Sequence, residues 1–314
     1  MKGLLKGKSA GTQLLIVVCI ALVSFFLLGL LGTVVLSSIT GVSLLQMSDP
    51  SKWDFSNPAT LTFIRGMQVI QFFALFLVPT FIGARLFSTD TKKYLGLKPP
   101  SNLVYFIAAV ALMMLAIPLV NWLGELNKNV HFPPGIEKWM KDKEDEAART
   151  VQALLSKHSI KDLLLNIVCI AGLAAVGEEL LFRGIVQRLL IKIFKNPWAG
   201  IIVAAFLFSA MHLQFYGFLP RFVLGILLGV IYWYSGSLWT SILAHFIYDG
   251  ALITLVYFNP AMVNEDSPVK MNNIALVASL SFVIVVLIVG WMKKTSKVSY
   301  AEVYKDDFVP EHPF

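Results

Sequence analysis

Leu14-Leu15-Ile16-Val17-Val18-Cys19-Ile20-Ala21-Leu22-Val23-Ser24-Phe25-Phe26-Leu27-Leu28 opens a stretch that stays uncharged and mostly apolar to about Ile39. A helix needs roughly 20 apolar residues to cross the hydrocarbon core of a bilayer, so this segment reads as a spanning helix. It is much longer than the apolar core of a secretory signal and has no clean small-residue cleavage site. Despite Lys2, Lys6 and Lys8 ahead of it, it is expected to be retained.

The same ruler finds further candidates along the chain. With the first they lie at about 14–38, 61–87, 102–123, 162–194, 197–214, 218–234, 238–258 and 273–292. The fold class is therefore all-α, a polytopic transmembrane bundle of about eight spanning helices. Composition agrees: 57% of residues are hydrophobic, 14% are charged, and the mean hydropathy is +0.72. Soluble domains stand nearer 45–50% apolar and about 25% charged. Period-two alternation is absent, which disfavours an outer-membrane barrel. Pro79 and Pro118 fall inside apolar runs and are read as kinks.

The net charge of +7 does not indicate a nucleic-acid partner, because Lys and Arg are parcelled between apolar runs and form no single patch. Cys19 and Cys169 lie in apolar runs with no CxxC spacing, so neither a zinc knuckle nor a disulfide framework is expected. Lys2, Lys6, Lys8, Arg85, Lys92, Lys93, Lys98, Arg188, Lys192, Lys195, Lys293, Lys294, Lys297 and Lys305 fall on one side of the alternating spans. Lys52, Lys128, Lys138, Lys141, Lys143, Arg149, Lys157, Lys161, Arg221 and Lys270 fall on the outer side, most of these in one long loop where acids also crowd. By the positive-inside rule both termini are expected in the cytoplasm, with the chain in a bacterial inner membrane.

Three regions follow: residues 1–160 with a polar surface loop at about 124–160, a catalytic-type core at 161–294, and a flexible tail at 295–314. In the loop, Ile136, Trp139, Met140, Ala147, Val151, Leu154 and Leu155 recur at helical spacing around Lys141-Asp142-Lys143-Glu144-Asp145-Glu146. This is an amphipathic helix lying on the membrane or over the bundle. A lid over a site is one reading; a solvated connector is the preferred one.

Charged groups inside a spanning helix cost several kcal/mol, so they point to function by default. They concentrate in three segments: Gly177-Glu178-Glu179-Leu180-Leu181-Phe182-Arg183, Phe208-Ser209-Ala210-Met211-His212, and His245-Phe246-Ile247-Tyr248-Asp249. Glu179 and Arg183 stand four apart, acid first, and are expected to pair strongly where the dielectric is low. Glu178 lies about 100° round the helix, without a sequence-local cation. A carboxylate withdrawn from water is a stronger base than an exposed one. His245 and Asp249 share a face, as do Phe208 and His212. A carboxylate base, an orienting histidine and oxyanion donors together can activate water against a carbonyl. Taken singly, each histidine is as well explained by helix-packing hydrogen bonds. On a simple helix count His212 and His245 differ in depth, so tilt or unwinding must bring them level. Arg65, Gln68 and Gln71 are read as packing or cavity lining.

Glu178-Glu179-x-x-x-Arg183, Phe208-x-x-x-His212 and His245-x-x-x-Asp249, in that order on three apolar helices, resemble the type II CAAX-prenyl endopeptidase and bacteriocin-processing family, also called the Abi family. Phe222-x-x-Gly225-x-x-x-Gly229 looks like its intermediate motif, and the resemblance covers roughly residues 160–255. It implies an intramembrane endopeptidase acting on a membrane-embedded or lipidated peptide, in contact with membrane lipid and with no nucleic acid. Glu178 and His212 would activate water, His245 and Asp249 would stabilise the oxyanion, and Glu179 and Arg183 would shape the site. The family often carries Asn where this chain has Asp249. An ionised carboxylate would repel an oxyanion, so Asp249 is read as orienting the His245 ring, as a triad acid does. No cofactor is preferred. Were zinc present, Glu178, His212 and His245 form an acceptable ligand set, although no HExxH occurs. Two other classes compete: a non-catalytic bacteriocin-immunity or binding protein of the same fold, and a transporter with a proton relay.

Overall fold

A computed structural model describes residues 2–47, 53–155, 159–260 and 273–304. Among them the regular elements are helices throughout. Seven are long and apolar enough to cross a membrane: α1 (Ala10–Thr40), α2 (Pro58–Phe87), α3 (Val104–Lys128), α5 (Ile160–Phe194), α7 (Phe218–Ser235, entered through a short turn at Phe215–Gly217), α8 (Leu238–Phe258) and α9 (Ile274–Thr295). The shorter apolar α6 (Pro197–Met211) brings the total to eight, in the expected places. Helix α4 (Pro134–Leu155) is the amphipathic one, and α10 (Tyr300–Tyr304) is a short terminal turn.

Helices α5, α7 and α8 occupy the middle of the bundle. Helix α6 packs on α5 and α7, α3 on α7 and α8, α9 on α3, and α2 on α5, while α1 flanks α2 from outside. Leu227, Leu228, Val230 and Ile231 of α7 bury against Tyr105, Ala109 and Leu112 of α3 in one apolar core. Exposed apolar side chains crowd α1 and α9 instead, as befits surfaces facing lipid.

Both expected kinks have local causes. Pro79 follows a wide π-type turn at Phe72–Leu77, which absorbs the missing N–H and the ring's clash with the preceding turn. Ahead of Pro118 the helix breaks at Ala116. Helix α5 carries two more π-type turns, at Ile167–Gly172 and Glu179–Gln187, neither marked by proline. The second re-aims the side chains of the acidic pair.

Short connections hold the central helices in register. Lys195 takes a left-handed conformation at φ 50°, and Asn196 then caps α6 by accepting from the Trp198 and Ala199 amides at 2.9 and 3.2 Å. Gly236, at φ 64°, turns the chain from α7 into α8. The α6–α7 contact is as close as two helices allow. A Cβ on Gly225 would stand 3.1 Å from the Ala205 Cβ, and one on Gly229 would stand 2.9 Å from Ile201 Cγ2.

Helix α4 lies over the bundle. Trp139 packs on Phe215 with ring centroids 5.2 Å apart and planes tilted by 49°, Met140 and Leu154 are buried, and the Leu154 carbonyl accepts from Asn166 of α5 at 2.8 Å. The tail corrects an expectation: it is held down as far as residue 304. Tyr304 is buried and donates to the Arg188 carbonyl at 2.7 Å, and Ser296 donates to Tyr234 at 2.7 Å. Tyr300 and Tyr304, with ring centroids 4.7 Å apart, are its anchors. Residues 305–314 lie outside the described residues.

Candidate active site

The site is built on the middle of α5, where its second π-type turn starts. Glu179 is fully buried and its Oε1 accepts from Arg183 Nη1 at 2.6 Å, one turn along. Arg183, 1% exposed, extends across the α5–α7 contact, donating from Nη2 to the Gly225 carbonyl at 3.0 Å. One turn further, Gln187 donates to the Gly229 carbonyl at 3.1 Å. Two side chains four apart on α5 thus reach two carbonyls four apart on α7. Only glycine lets them approach: a Cβ at Gly229 would lie 2.6 Å from Gln187 Oε1. The Arg183 guanidinium also lies 4.7 Å over the Phe208 ring of α6, so one cation ties three helices together.

Glu179 serves a second partner. Its Oε1 faces His245 Nδ1 of α8 at 3.0 Å, so the same oxygen receives the arginine and the histidine. His245 Nε2 faces Asp249 Oδ2 at 3.2 Å and Glu178 Oε2 at 3.9 Å. The place that a triad acid takes at Nδ1 therefore belongs to Glu179, and Asp249 contacts the other nitrogen. Helical geometry explains this, because Asp249 sits one turn beyond His245 and reaches back along its own helix. A neutral imidazole donates from one nitrogen only. With carboxylates on both sides, either the ring carries two protons or one of the acids carries the second.

His212 approaches Glu178 from the opposite side. Helix α6 ends at Met211, His212 is its cap, and Leu213 turns away at φ 53°. The end of the helix thereby brings His212 level with Glu178. His212 Nδ1 lies 2.9 Å from the Phe208 carbonyl, which can only accept, so Nδ1 bears a proton. In the neutral ring Nε2 then holds the lone pair, and it stands 3.9 Å from Glu178 Oε1. The Phe208 ring walls both histidines, at centroid distances of 5.1 Å from His212 and 6.3 Å from His245.

The structure thus gathers Glu178, Glu179, Arg183, His212, His245 and Asp249 at one place. Among the described residues, no group of three or more His, Cys, Asp or Glu side chains is arranged to hold a metal ion. Glu178 stands 3.9 Å from His212 and 3.9 Å from His245, wider than donors converging on one small cation.

Arg221 is an addition that the sequence reading missed, having counted it only as a charge on the outer side. It donates from Nη1 to the Gln214 carbonyl at 2.9 Å, and its charge acts on His212, Glu178 and, in α4, Glu144. Its position one turn ahead of Gly225, at the start of an apolar helix, was the available signal. Arg65 pairs with Asp162 at 3.0 Å and donates to Asn166 at 3.1 Å, joining α2 to α5 well away from the chemistry.

Two relatives of this chain are themselves uncharacterized proteins. The chain is 27% identical over 127 residues to the uncharacterized protein YpbD of Bacillus subtilis (strain 168), covering 39% of this chain and 60% of that protein. It is 32% identical over 100 residues to an uncharacterized 24.3 kDa protein of Escherichia coli, covering 29% of this chain and 44% of the relative. The chain therefore spans less than two thirds of the length of either relative. No solved structure matches. Residues 160–251, from the start of α5 through the His245–Asp249 pair, match the model of the Rce1-like family, the type II CAAX prenyl endopeptidases.

Proposed function

We propose that this chain is an intramembrane endopeptidase that hydrolyses a peptide bond of a membrane-associated protein or peptide. The observation carrying the proposal is the position of Glu178 between two histidines, 3.9 Å from His212 Nε2 on one side and 3.9 Å from His245 Nε2 on the other. Both separations exceed a hydrogen bond. One water held at about 2.8 Å from a ring nitrogen and from the carboxylate closes such a gap.

The reaction then follows from the residues. Glu178 takes a proton from the water, which His212 Nε2 orients by accepting its second hydrogen. The hydroxide adds to the carbonyl carbon, and His245, protonated on both nitrogens, exchanges Asp249 for the oxyanion as the acceptor of its Nε2–H. Glu178 returns its proton to the departing amide nitrogen as the C–N bond breaks. Glu179 holds the His245 ring from behind, and Arg183 fixes Glu179. The bundle admits a substrate lying in or on the membrane, at a site whose walls are helices α5, α6 and α8.

The test is cleavage of a membrane-anchored peptide in proteoliposomes by the wild type, Glu178→Gln and His212→Ala. General-base removal lowers rates by about 10²–10⁴-fold, so Glu178→Gln is expected to lose at least that much while unfolding at the same temperature. Undiminished cleavage by Glu178→Gln would overturn the mechanism. A protective phenotype that persists in Glu178→Gln, with no cleavage by the wild type, would favour the binding or immunity reading.

A further inference from the structure

Arg183 is matched by Glu179 at 2.6 Å, and Arg65 by Asp162 at 3.0 Å. Arg221, near the start of α7, is not so matched. Among the described residues it forms no ion pair, and its one hydrogen bond runs from Nη1 to the Gln214 carbonyl at 2.9 Å. Glu144 of α4 and Glu178 act on it as charges without pairing with it. A guanidinium carries five N–H donors in a planar fork. The fold uses one of them here, and the other nitrogens of this half-buried side chain are not sealed from accessible space.

The side chain is set in place by the loop that begins at His212. Its Nη2 lies so close on Gly217 that a Cβ there would overlap it. Asn127 of α3 clamps the same loop, donating to the Phe215 carbonyl at 2.6 Å and accepting from the Leu219 amide at 3.1 Å. Ser209 of α6 donates to the Phe218 carbonyl at 2.7 Å. A fixed cation thus borders the site on the flank where His212 stands, and its charge reaches both His212 and Glu178. The site itself is rich in acid, with Glu178, Glu179 and Asp249 set round His245 and Arg183. A peptide bearing a carboxylate would be repelled from such a centre unless a cation stood ready beside it.

We propose that Arg221 selects the substrate by binding a carboxylate that the peptide carries close to the bond being cut, an assignment that rests on the endopeptidase reading. A planar fork matches the two oxygens of a carboxylate. That carboxylate is either the C-terminus of the peptide or an acidic side chain, and the experiment separates these. One membrane-anchored peptide is made in four versions, its C-terminus free or amidated and its single acidic side chain Glu or Gln. In proteoliposomes kcat/KM is measured on all four for the wild type, Arg221→Gln and Arg221→Lys. Binding of the same peptides is measured on Glu178→Gln with and without Arg221→Gln.

The wild type is expected to prefer a version with the recognised carboxylate by about tenfold or more over the version with neither. Arg221→Gln should bring that ratio close to one, and Arg221→Lys, which keeps the charge and loses the fork, should retain part of it. Loss of the preference on amidation assigns the C-terminus; loss on exchange of Glu for Gln assigns the side chain. An arginine that only offset the acidic charge of the site would slow all four versions alike when replaced, and that result overturns the proposal. So does a wild type without preference, or a preference that survives in Arg221→Gln. Should Arg221→Gln fail to fold, Arg221→Lys takes its place, and an undiminished ratio there counts against the fork. If the wild type cleaves none of the four, the endopeptidase reading fails, and the binding arm decides by itself whether Arg221 holds a carboxylate.

Discussion

Replacing Arg183 by Met would strand a carboxylate inside the bundle. The Arg183 side chain is 2% exposed and that of Glu179 is 0% exposed. The substitution removes the 2.6 Å bond to Oε1 and leaves that oxygen with His245 Nδ1 at 3.0 Å, while Glu179 Oε2 has no hydrogen-bond partner among the described residues. Removing one member of such a buried pair costs about 3–5 kcal/mol, whereas replacing both members by apolar groups of similar volume is often neutral. Arg183→Met is therefore expected to lose about 3–5 kcal/mol. Glu179→Leu with Arg183→Met should regain most of that loss. The double variant should nonetheless remain without cleavage activity, because His245 Nδ1 has lost its acceptor. Reversible unfolding by sodium dodecyl sulfate in mixed micelles, followed by tryptophan fluorescence, reads the stability; the proteoliposome assay reads the rate. A single variant within about 1 kcal/mol of the parent would show that the pair is not desolvated, and so refute the reasoning. A double variant no more stable than the single would assign the loss to packing on Phe208 instead of to a stranded charge.

Exhaustive chelation is expected to leave the cleavage rate unchanged, since Glu178 with two histidines suffices in the proposed mechanism; a collapse reversed by zinc alone would refute it. Gly229→Ala should destabilise by about 1–3 kcal/mol, because its Cβ would press on Gln187 Oε1 and Ile201 Cγ2. Gly250→Ala, whose Cβ would meet nothing within 4 Å, is the control and should be neutral or slightly stabilising in the same unfolding assay.

The spans were legible because lipid imposes one requirement on all of them, an apolar run of sufficient length. The short run at 197–214 appears as α6 with no adjustment beyond its end. The Glu179–Arg183 pair was legible for a similar reason: four residues on a helix is a distance. The link from Glu179 to His245 was not, because it joins residues 66 apart and depends on how α5 and α8 pack. For the same reason the spacing of His245 and Asp249 does not say which nitrogen of the ring the carboxylate contacts. The π-type turns of α5 have no signature in its residues, since the width of a turn is decided by neighbouring helices. Arg221 was counted as an outer charge, and only the fold brings it near Glu178 and His212.

Helix α6 has 15 residues, so it rises only about 22 Å, some 8 Å less than the thickness of the hydrocarbon slab. His212 marks where it stops. The carbonyls of that last turn are met inside the protein, Phe208 by His212 Nδ1 and Ser209 and Ala210 by the amides of His212 and Leu213. So brief a span leaves its final side chain part-way down the slab instead of at a headgroup, and two extra turns ahead of it would carry that imidazole about 11 Å past the carboxylate it serves in the proposed reaction.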